Sequence, residues 1–268
     1  MVIKELLVNP SHNPKLSDWN PNDTMGRSEK DLNKQLIMLR STMSDLQYRL
    51  YIERKRSLLV VLQGMDASGK DGAIKDVMSA FNPIGCTVKA FKAPSTDELS
   101  HDFLWRIHNA VPPKGFIGIF NRSQYEDVVE VRVGKLVPRS VWEPRYDQII
   151  QFEKTLHENQ VKIIKFFLHI SKQEQKDRLC SRLSHPRKRW KVNRDDFEKH
   201  KKWGRYMDAY EDAIVRSSTP ESPWYIVPSN KKWFRNWFIA KTITQTLKRM
   251  KIKNPKYEMP PNIGDICK

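Results

Sequence analysis

Cysteine is scarce in this 268-residue sequence: Cys86, Cys180 and Cys267 stand at unrelated spacings. That excludes a disulfide framework and a zinc pattern, and it suits a reducing cytoplasm. Long apolar runs are missing as well. No stretch approaches the about 20 residues of a membrane span, and no secretory h-region opens the chain, so no membrane partner is expected. The seven histidines show no metal-ligand spacing. His169, in the apolar run 161–170, reads as a strand-end residue. Internal repeats and low-complexity tracts are absent. Acidic residues are outnumbered, 31 against 48 Lys plus Arg, which leaves a formal net charge of +17 and a pI near 9.8. Such an excess attracts polyanions, whether nucleic acid, anionic membrane or an inorganic phosphate polymer. It does not specify a fold.

What is present is a phosphate loop in the right context. Residues 64–70 read GMDASGK, a G-x-x-x-x-G-K pattern placed directly after the apolar run SLLVVLQ at 57–63 and before a helical stretch at 71–81. A buried strand running into a glycine-rich turn and then a helix aims backbone N–H groups and a helix N-terminus at one point. Gly64, Ala67, Ser68, Gly69, Asp71 and Gly72 are therefore candidate phosphate-binding positions, with Lys70 reaching the phosphates. Two departures sharpen the reading. Asp71 stands where a nucleoside triphosphatase usually has the Ser or Thr that ligates magnesium, and Asp66 lies inside the loop. A carboxylate beside phosphates is repulsive unless a cation lies between, so Asp66 implies Mg2+ shared with phosphate oxygens.

The rest of the chain reads as an α/β fold of three layers, a parallel sheet covered by helices on both faces. Residues 1–27 are polar and rich in Asn, Pro and Ser, an extended arm on the surface. From Ser28, a helix carries Leu32, Leu36, Leu39, Met43, Leu46 and Leu50 at alternating spacings of four and three, one apolar stripe expected to lie on its own domain. Residues 1–56 are thus an arm and helix on a kinase-like domain at 57–268. Further strands are expected at 86–91, 115–120, 162–170 and 224–227. Ser95 with Glu98 and Ser171 with Glu174 read as capping boxes that open the helices after two of them. Trp233, Trp237, Ala240, Ile243 and Leu247 read as core packing on a terminal helix. Ligands of such a sheet bind beyond the C-terminal strand ends.

Two constellations fall at those ends. The strand at 115–120 runs into NRSQYED, where Arg122 can grip phosphate oxygens bidentately and Glu126 or Asp127 can position magnesium or its waters. Surface ion pairing at a helix start is the alternative for these three. Residues 182–205 hold ten Lys or Arg against three acids. A charge run by itself is a solvated face. Its place after the fourth strand is also that of a lid that closes over transferring phosphates.

GMDASGKDG at 64–72, FNRSQYEDV at 120–128 and RKRWK at 187–191 together resemble the polyphosphate kinase 2 family, and the resemblance extends from about residue 32 to 250. It implies a P-loop kinase-like fold with an N-terminal helical extension and a basic lid. It further implies magnesium-dependent transfer of a terminal phosphoryl group between inorganic polyphosphate and nucleoside mono- or diphosphates, in the cytoplasm. By motif, Asp66, Lys70 and Arg122 are the catalytic residues, Asp66, Glu126 and Asp127 the metal ligands, and Arg182, Arg187, Lys188 and Arg189 lid cations. YED at 125–127 is more like the family's third class, which uses both AMP and ADP, although the stretch from Val133 to Trp142 departs from it by being short. Relatives assemble as dimers or tetramers. An ATP-dependent nucleotide kinase and a noncatalytic polyanion-binding protein remain the alternatives. Nucleic acid is an unexpected partner, because no aromatics are interleaved through a sheet as on an RNA-recognition surface.

Overall fold

In a computed structural model, residues 6–253 other than residue 13 are described; Cys267 lies outside them. Five strands form one all-parallel sheet: β1 (Ser57–Gln63), β2 (Cys86–Ala90), β3 (Ile117–Asn121), β4 (Val161–His169) and β5 (Trp224–Pro228). Their spatial order is β2-β3-β1-β4-β5. β1, at the centre, is buried along its whole length, as a Val/Leu run with helices on both faces must be. Each strand lies within two residues of its sequence expectation.

The helices are α1 (Glu29–Glu53), α2 (Lys70–Val77), α3 (Thr96–Leu99), α4 (Trp105–His108), α5 (Glu126–Val133), α6 (Arg139–Trp142), α7 (Arg145–Glu158), α8 (Lys172–Ser184), α9 (Arg194–Lys201), α10 (Trp203–Ser217) and α11 (Lys232–Arg249). Ser28 caps α1 by accepting from Asp31 N, and the helix ends where Arg54 turns left-handed, at φ 53°. Ser95 and Glu98 close a reciprocal capping box. Ser171 accepts from Glu174 N at 3.1 Å and caps α8 from one side.

On one face of the sheet, Leu32, Met43 and Leu50 of α1 and Trp237, Ile239 and Ile243 of α11 join Leu58, Val60 and Leu62 in a single apolar cluster. Leu36, Leu39 and Leu46 pack half-buried against it, so the stripe on α1 lies against its own chain. The opposite face is covered by α5, α7 and α10, whose Val128, Tyr146 and Tyr210 meet Phe167 and Ile226. The N-terminal arm is more firmly seated than its polar composition suggests. Leu6, Val8 and Leu16 are buried, Val8 N donates to Trp224 O at 3.0 Å, and Leu7 bridges Tyr225 on the edge of β5. Three apolar side chains among the polar ones are enough to anchor it.

One buried polar network crosses the second face. Lys165 of β4, fully buried, donates to Glu153 Oε2 (2.6 Å), Tyr125 Oη (2.8 Å) and Ser217 O (2.8 Å). Glu153 also accepts from Tyr125 Oη (2.7 Å), Gln124 Nε2 (2.9 Å) and Ser222 Oγ (2.6 Å). Removing one member of such a pair strands the other charge in the interior, which costs about 3–5 kcal/mol. Glu153→Ala should therefore lose about that much unfolding free energy in urea, and combining Glu153→Leu with Lys165→Met should recover a large part of it. A loss under about 1 kcal/mol would mean that water reaches the Lys165 ammonium.

Candidate active site

The ends of β1, β2 and β3 open into a cleft of about 720 Å³. Its floor is the loop between β1 and α2. Gly64 has φ 144°, and a Cβ there would meet Leu168 O at 2.8 Å, so only glycine lets the chain leave the strand at this point. Gly69, at φ 105°, is the N-cap of α2. Ala67 takes a left-handed φ of 64°, and Ser68 is buried. Lys70 Nζ donates to the carbonyls of Gly64 (2.6 Å) and Met65 (3.1 Å), folded over the loop it belongs to. Burial, together with nearby Arg122, pushes its pKa down to about 8.

Asp66 forms the centre of the charge arrangement. Arg122 Nη2 binds its Oδ1, and Lys199 of α9 approaches Oδ2 at 3.9 Å. Burial would raise the Asp66 pKa, but the fields of Arg122, Lys70 and Lys199 outweigh it and hold the carboxyl below the ordinary range. Arg122 is itself at φ 63°, a left-handed conformation that costs about 1–3 kcal/mol for a non-glycine residue and persists only where neighbours enforce it. They do so here. Gln63 donates to Glu126 Oε1 (3.0 Å) and accepts from Ser123, and Gln124 and Tyr125 are tied to Glu153.

The two acids after Tyr125 part company. Consecutive helical residues point about 100° apart, so both cannot face one site. Glu126 is half-buried near Arg122 and Lys70, outside the cleft lining; desolvation raises its pKa and those two cations oppose the shift. Asp127 turns away to Arg106 Nη2 (3.4 Å) and Arg145 Nη1 (3.5 Å), and it does not line the cleft. The structure thus places Glu126 in the field of Asp66, Arg122 and Lys70, and pairs Asp127, expected as a metal ligand, with Arg106 and Arg145.

The basic segment folds over the loop. It comprises the end of α8, a 3-10 helix at Pro186–Lys191, and α9. A 3-10 helix has three residues per turn, so Arg187, Lys188 and Arg189 diverge while residues three apart share a face. Lys188 and Lys191 line the cleft; Arg187 and Arg189 do not, and Arg189 Nε donates to Leu183 O. Arg182 lines it too, but is engaged by Asp196 Oδ2 at 2.7 Å. Asp71, at the start of α2, accepts from Asn121 Nδ2 (2.9 Å) and pairs with Lys191 (3.0 Å), tying the lid to the loop. Gly72 follows it in the first turn of α2.

Several cations in or beside the cleft were not among the residues named from sequence. Arg178 donates to Ala67 O, Ser68 O, Ser229 O and Asn230 O and pairs with Glu174, clamping the loop from α8. Gln175, Arg178 and Arg182, spaced by three and four, share the face of α8 that looks at the loop, a periodicity that a capped helix after a strand would have offered. Lys191 closes the RKRWK motif and Lys199 lies within the basic run at 182–205, but neither was named as a lid cation. Arg235, in the first turn of α11, carried no motif at all. His169, at the end of β4, is buried and pushed down to about 4 by that burial. Among the described residues no group of three His, Cys, Asp or Glu is placed to hold a metal ion by itself, and no helix is long and apolar enough to cross a membrane.

A parallel β2-β3-β1-β4-β5 sheet with a glycine loop, a loop lysine, a strand-end arginine and a basic lid defines a phosphate-loop phosphotransferase. The family model for Polyphosphate kinase 2 (PPK2) matches residues 26–255, and the chain belongs to that family. It is 45% identical to the AMP/ADP-polyphosphate phosphotransferase of Meiothermus ruber, over 96% of this chain and 97% of that protein. It is 42% identical to the ADP-polyphosphate phosphotransferase of Rhodopseudomonas palustris, over 80% and 78%. The crystal structure of Polyphosphate Kinase 2 from Arthrobacter aurescens TC1 superposes with a TM-score of 0.94 at 37% identity, covering 98% of this chain and 95% of that one.

The arginine clamp on Asp127 gives a prediction that separates it from its neighbour. Asp127→Asn should lower stability by about 1–3 kcal/mol, through two weakened charged contacts, and leave the magnesium dependence of activity unchanged. Thermal unfolding and a magnesium titration of turnover measure the two; a shifted magnesium optimum would return Asp127 to the metal site.

Proposed function

We propose that the protein transfers a terminal phosphoryl group between inorganic polyphosphate and nucleoside mono- or diphosphates, with Mg2+, in the cytoplasm and as a homo-oligomer. Residues 57–268 form the kinase unit with its lid at about 182–205, and residues 1–56 an arm and helix laid on it. The observation that carries the reading is the cleft itself. Lys188, Lys191, Lys232 and Arg235 continue the phosphate loop outward, a lining suited to a chain of phosphates longer than a nucleotide's own. The names of the similar proteins point the same way.

Asp66 and Glu126 suit a magnesium ion, which takes one or two carboxylates and completes its shell with phosphate oxygens and waters. Both lie within the fields of Arg122 and Lys70 and of each other, and like-charged carboxylates held together are what a divalent cation relieves. When bound, the ion would neutralise phosphate charge. The chain's own residues do the rest. Phosphoryl transfer through a loose transition state needs positioning and charge neutralisation more than covalent chemistry. Lys70 leaves its loop carbonyls for phosphate oxygens, Arg122 fixes the acceptor phosphate against Asp66, and the lid excludes water.

The test is direct: protein, magnesium, ADP and polyphosphate are mixed and ATP is followed. ATP formation that requires polyphosphate separates this activity from an ATP-dependent nucleotide kinase and from a binding protein. Lys70→Met should lower turnover about a hundredfold or more at unchanged melting temperature, since a preorganised charge contact is lost where charge redistributes. Activity within about tenfold of wild type would place the chemistry elsewhere.

Acceptor length is set at the Glu126 end. AMP falls one phosphate short of the ADP position, and a carboxylate holding a hydrated cation can bridge that gap. AMP should be phosphorylated as well as ADP, and Glu126→Ala should impair AMP use more than ADP use. Separate assays in preparations free of adenylate kinase decide it; no AMP phosphorylation by the wild type would restrict the enzyme to diphosphates.

A further inference from the structure

Arg235 is a buried arginine of this site that no carboxylate among the described residues pairs with. It sits in the first turn of α11, 1% exposed. Nε and Nη2 both donate to Asn236 Oδ1, at 3.0 and 2.7 Å. Among the described residues no carboxylate lies within ion-pair distance of it, and Nη1 has no hydrogen-bond acceptor. Asp76, the acid whose field reaches it, is held by Asn236 Nδ2 at 3.1 Å, one side chain removed. The neighbouring charge is of the same sign: Arg178, whose own guanidinium is already spent on Glu174 and four carbonyls. Burial and Arg178 push the Arg235 pKa down to about 10, which leaves it charged at neutral pH.

A buried, unpaired charge is costly, and proteins keep one where a ligand answers it. The direction of the guanidinium says which ligand. A Cβ on Gly69 would collide with Arg235 Nη1, and one on Gly72 would stand 3.2 Å from Nη2. Gly69 needs its glycine for a positive φ as well. Gly72 does not: it has ordinary helical backbone inside α2, where glycine costs about 1 kcal/mol relative to alanine. Its bare backbone makes room for the guanidinium. The charge is thereby set directly behind the two residues whose N–H groups open α2, on the wall of the cleft.

We infer that the counter-ion of Arg235 is the phosphate held by the loop, so that this residue is a fixed charge for phosphoanion binding and contributes little to the stability of the empty fold. The inference rests on the reading of the loop as a polyphosphate site. It means that the empty site is electrostatically strained, with Arg178 and Arg235 facing each other, and that an incoming chain of phosphates relieves the strain. It also separates Arg235 from Lys188 and Lys191, which sit on the 3-10 helix of the basic segment.

The experiment compares wild type, Arg235→Met and Arg235→Lys by thermal unfolding and by calorimetric titration with inorganic tripolyphosphate. For Arg235→Met the melting temperature without ligand should be within about 3 °C of wild type or above it. The tripolyphosphate dissociation constant should rise about tenfold to a hundredfold, the loss of a charge-assisted contact. Arg235→Lys should recover part of the affinity. A fall of more than about 5 °C with affinity intact would make Arg235 a structural residue and overturn the inference. Should the Met variant not fold, Arg235→Gln, which keeps a donor for Asn236, decides: weakened binding at wild-type stability supports the inference, and unchanged binding overturns it. Absence of any tripolyphosphate binding by the wild type would overturn the reading of the loop, and the inference with it; full wild-type binding by Arg235→Met overturns the inference alone.

Discussion

Positive charge gathered at the ends of β1, β2 and β3, beyond what local carboxylates can match, is the constraint to which the rest of the site answers. Four acids there are engaged by cations, Asp66 by Arg122 and Lys199, Asp71 by Lys191, Glu130 by Lys199 and Asp196 by Arg182, while Asp76 and Glu126 are held by amides. Lys70 falls back on backbone carbonyls and Arg235 on an amide oxygen. Crowded like charges repel, and in a cleft with low-dielectric walls they do so more strongly than on an open surface. The balance has to come from a polyanion. The net charge of +17 visible in the sequence is thus not spread evenly as a solubilising coat but has a focus, and the focus is the phosphate loop.

Holding Arg122 at that focus requires rigidity from below. Its left-handed φ would relax if the segment 121–125 were free, and the restraint is polar, not apolar. Gln63 grips Ser123 and Glu126, while Glu153 takes Gln124 and Tyr125 and is itself held by Lys165. Tyr125 adds an edge-on contact with Trp224 at 4.8 Å between centroids. A buried ion pair adds little net stability compared with apolar packing, but it defines geometry, because a hydrogen-bonded pair tolerates few arrangements. Strain at Arg122 and order at Lys165 are two ends of one device.

The fold was legible because its signals are periodic and local. Val and Leu at 57–63, the stripe on α1 and the cap at Ser28 state their elements without reference to the rest of the chain. The loop positions and Arg122 were legible because they follow strand ends, which a parallel sheet brings together. Direction was not. Glu126 and Asp127 look equivalent in sequence, yet the helix turns one toward Arg122 and the other to Arg106 and Arg145. Arg187, Lys188 and Arg189 likewise look equivalent until the 3-10 helix singles out Lys188. Arg235 was illegible for a different reason: its partners Gly69 and Gly72 lie more than 160 residues away, and a lone arginine in an aromatic helix start reads as surface.

Both kinds of cation line the cleft, and the way each is held bears on what it can do. Away from the basic segment, Arg122, Arg178 and Arg235 stand beside Lys70, Lys75, Lys92 and Lys232; the three arginines are fixed by an ion pair with Asp66, by four backbone carbonyls and by close packing on glycine respectively. On the lid, Lys188, Lys191 and Lys199 face the cleft or the loop. A guanidinium suits a phosphate whose position must be defined, since its donors lie in a fixed plane. An ammonium on a four-carbon stem can exchange a carboxylate for a phosphate oxygen by rotating its own bonds. Lys191 and Lys199 hold carboxylates of the loop and of α5 through partly exposed pairs, and such pairs are weak enough to be traded. Arg182, at the base of the segment, also lines the cleft and holds Asp196 and the carbonyl of Lys191. The arginines are thus fixed against groups of the fold, whereas Lys191 and Lys199 sit in partly exposed pairs that another anion can replace without moving the backbone.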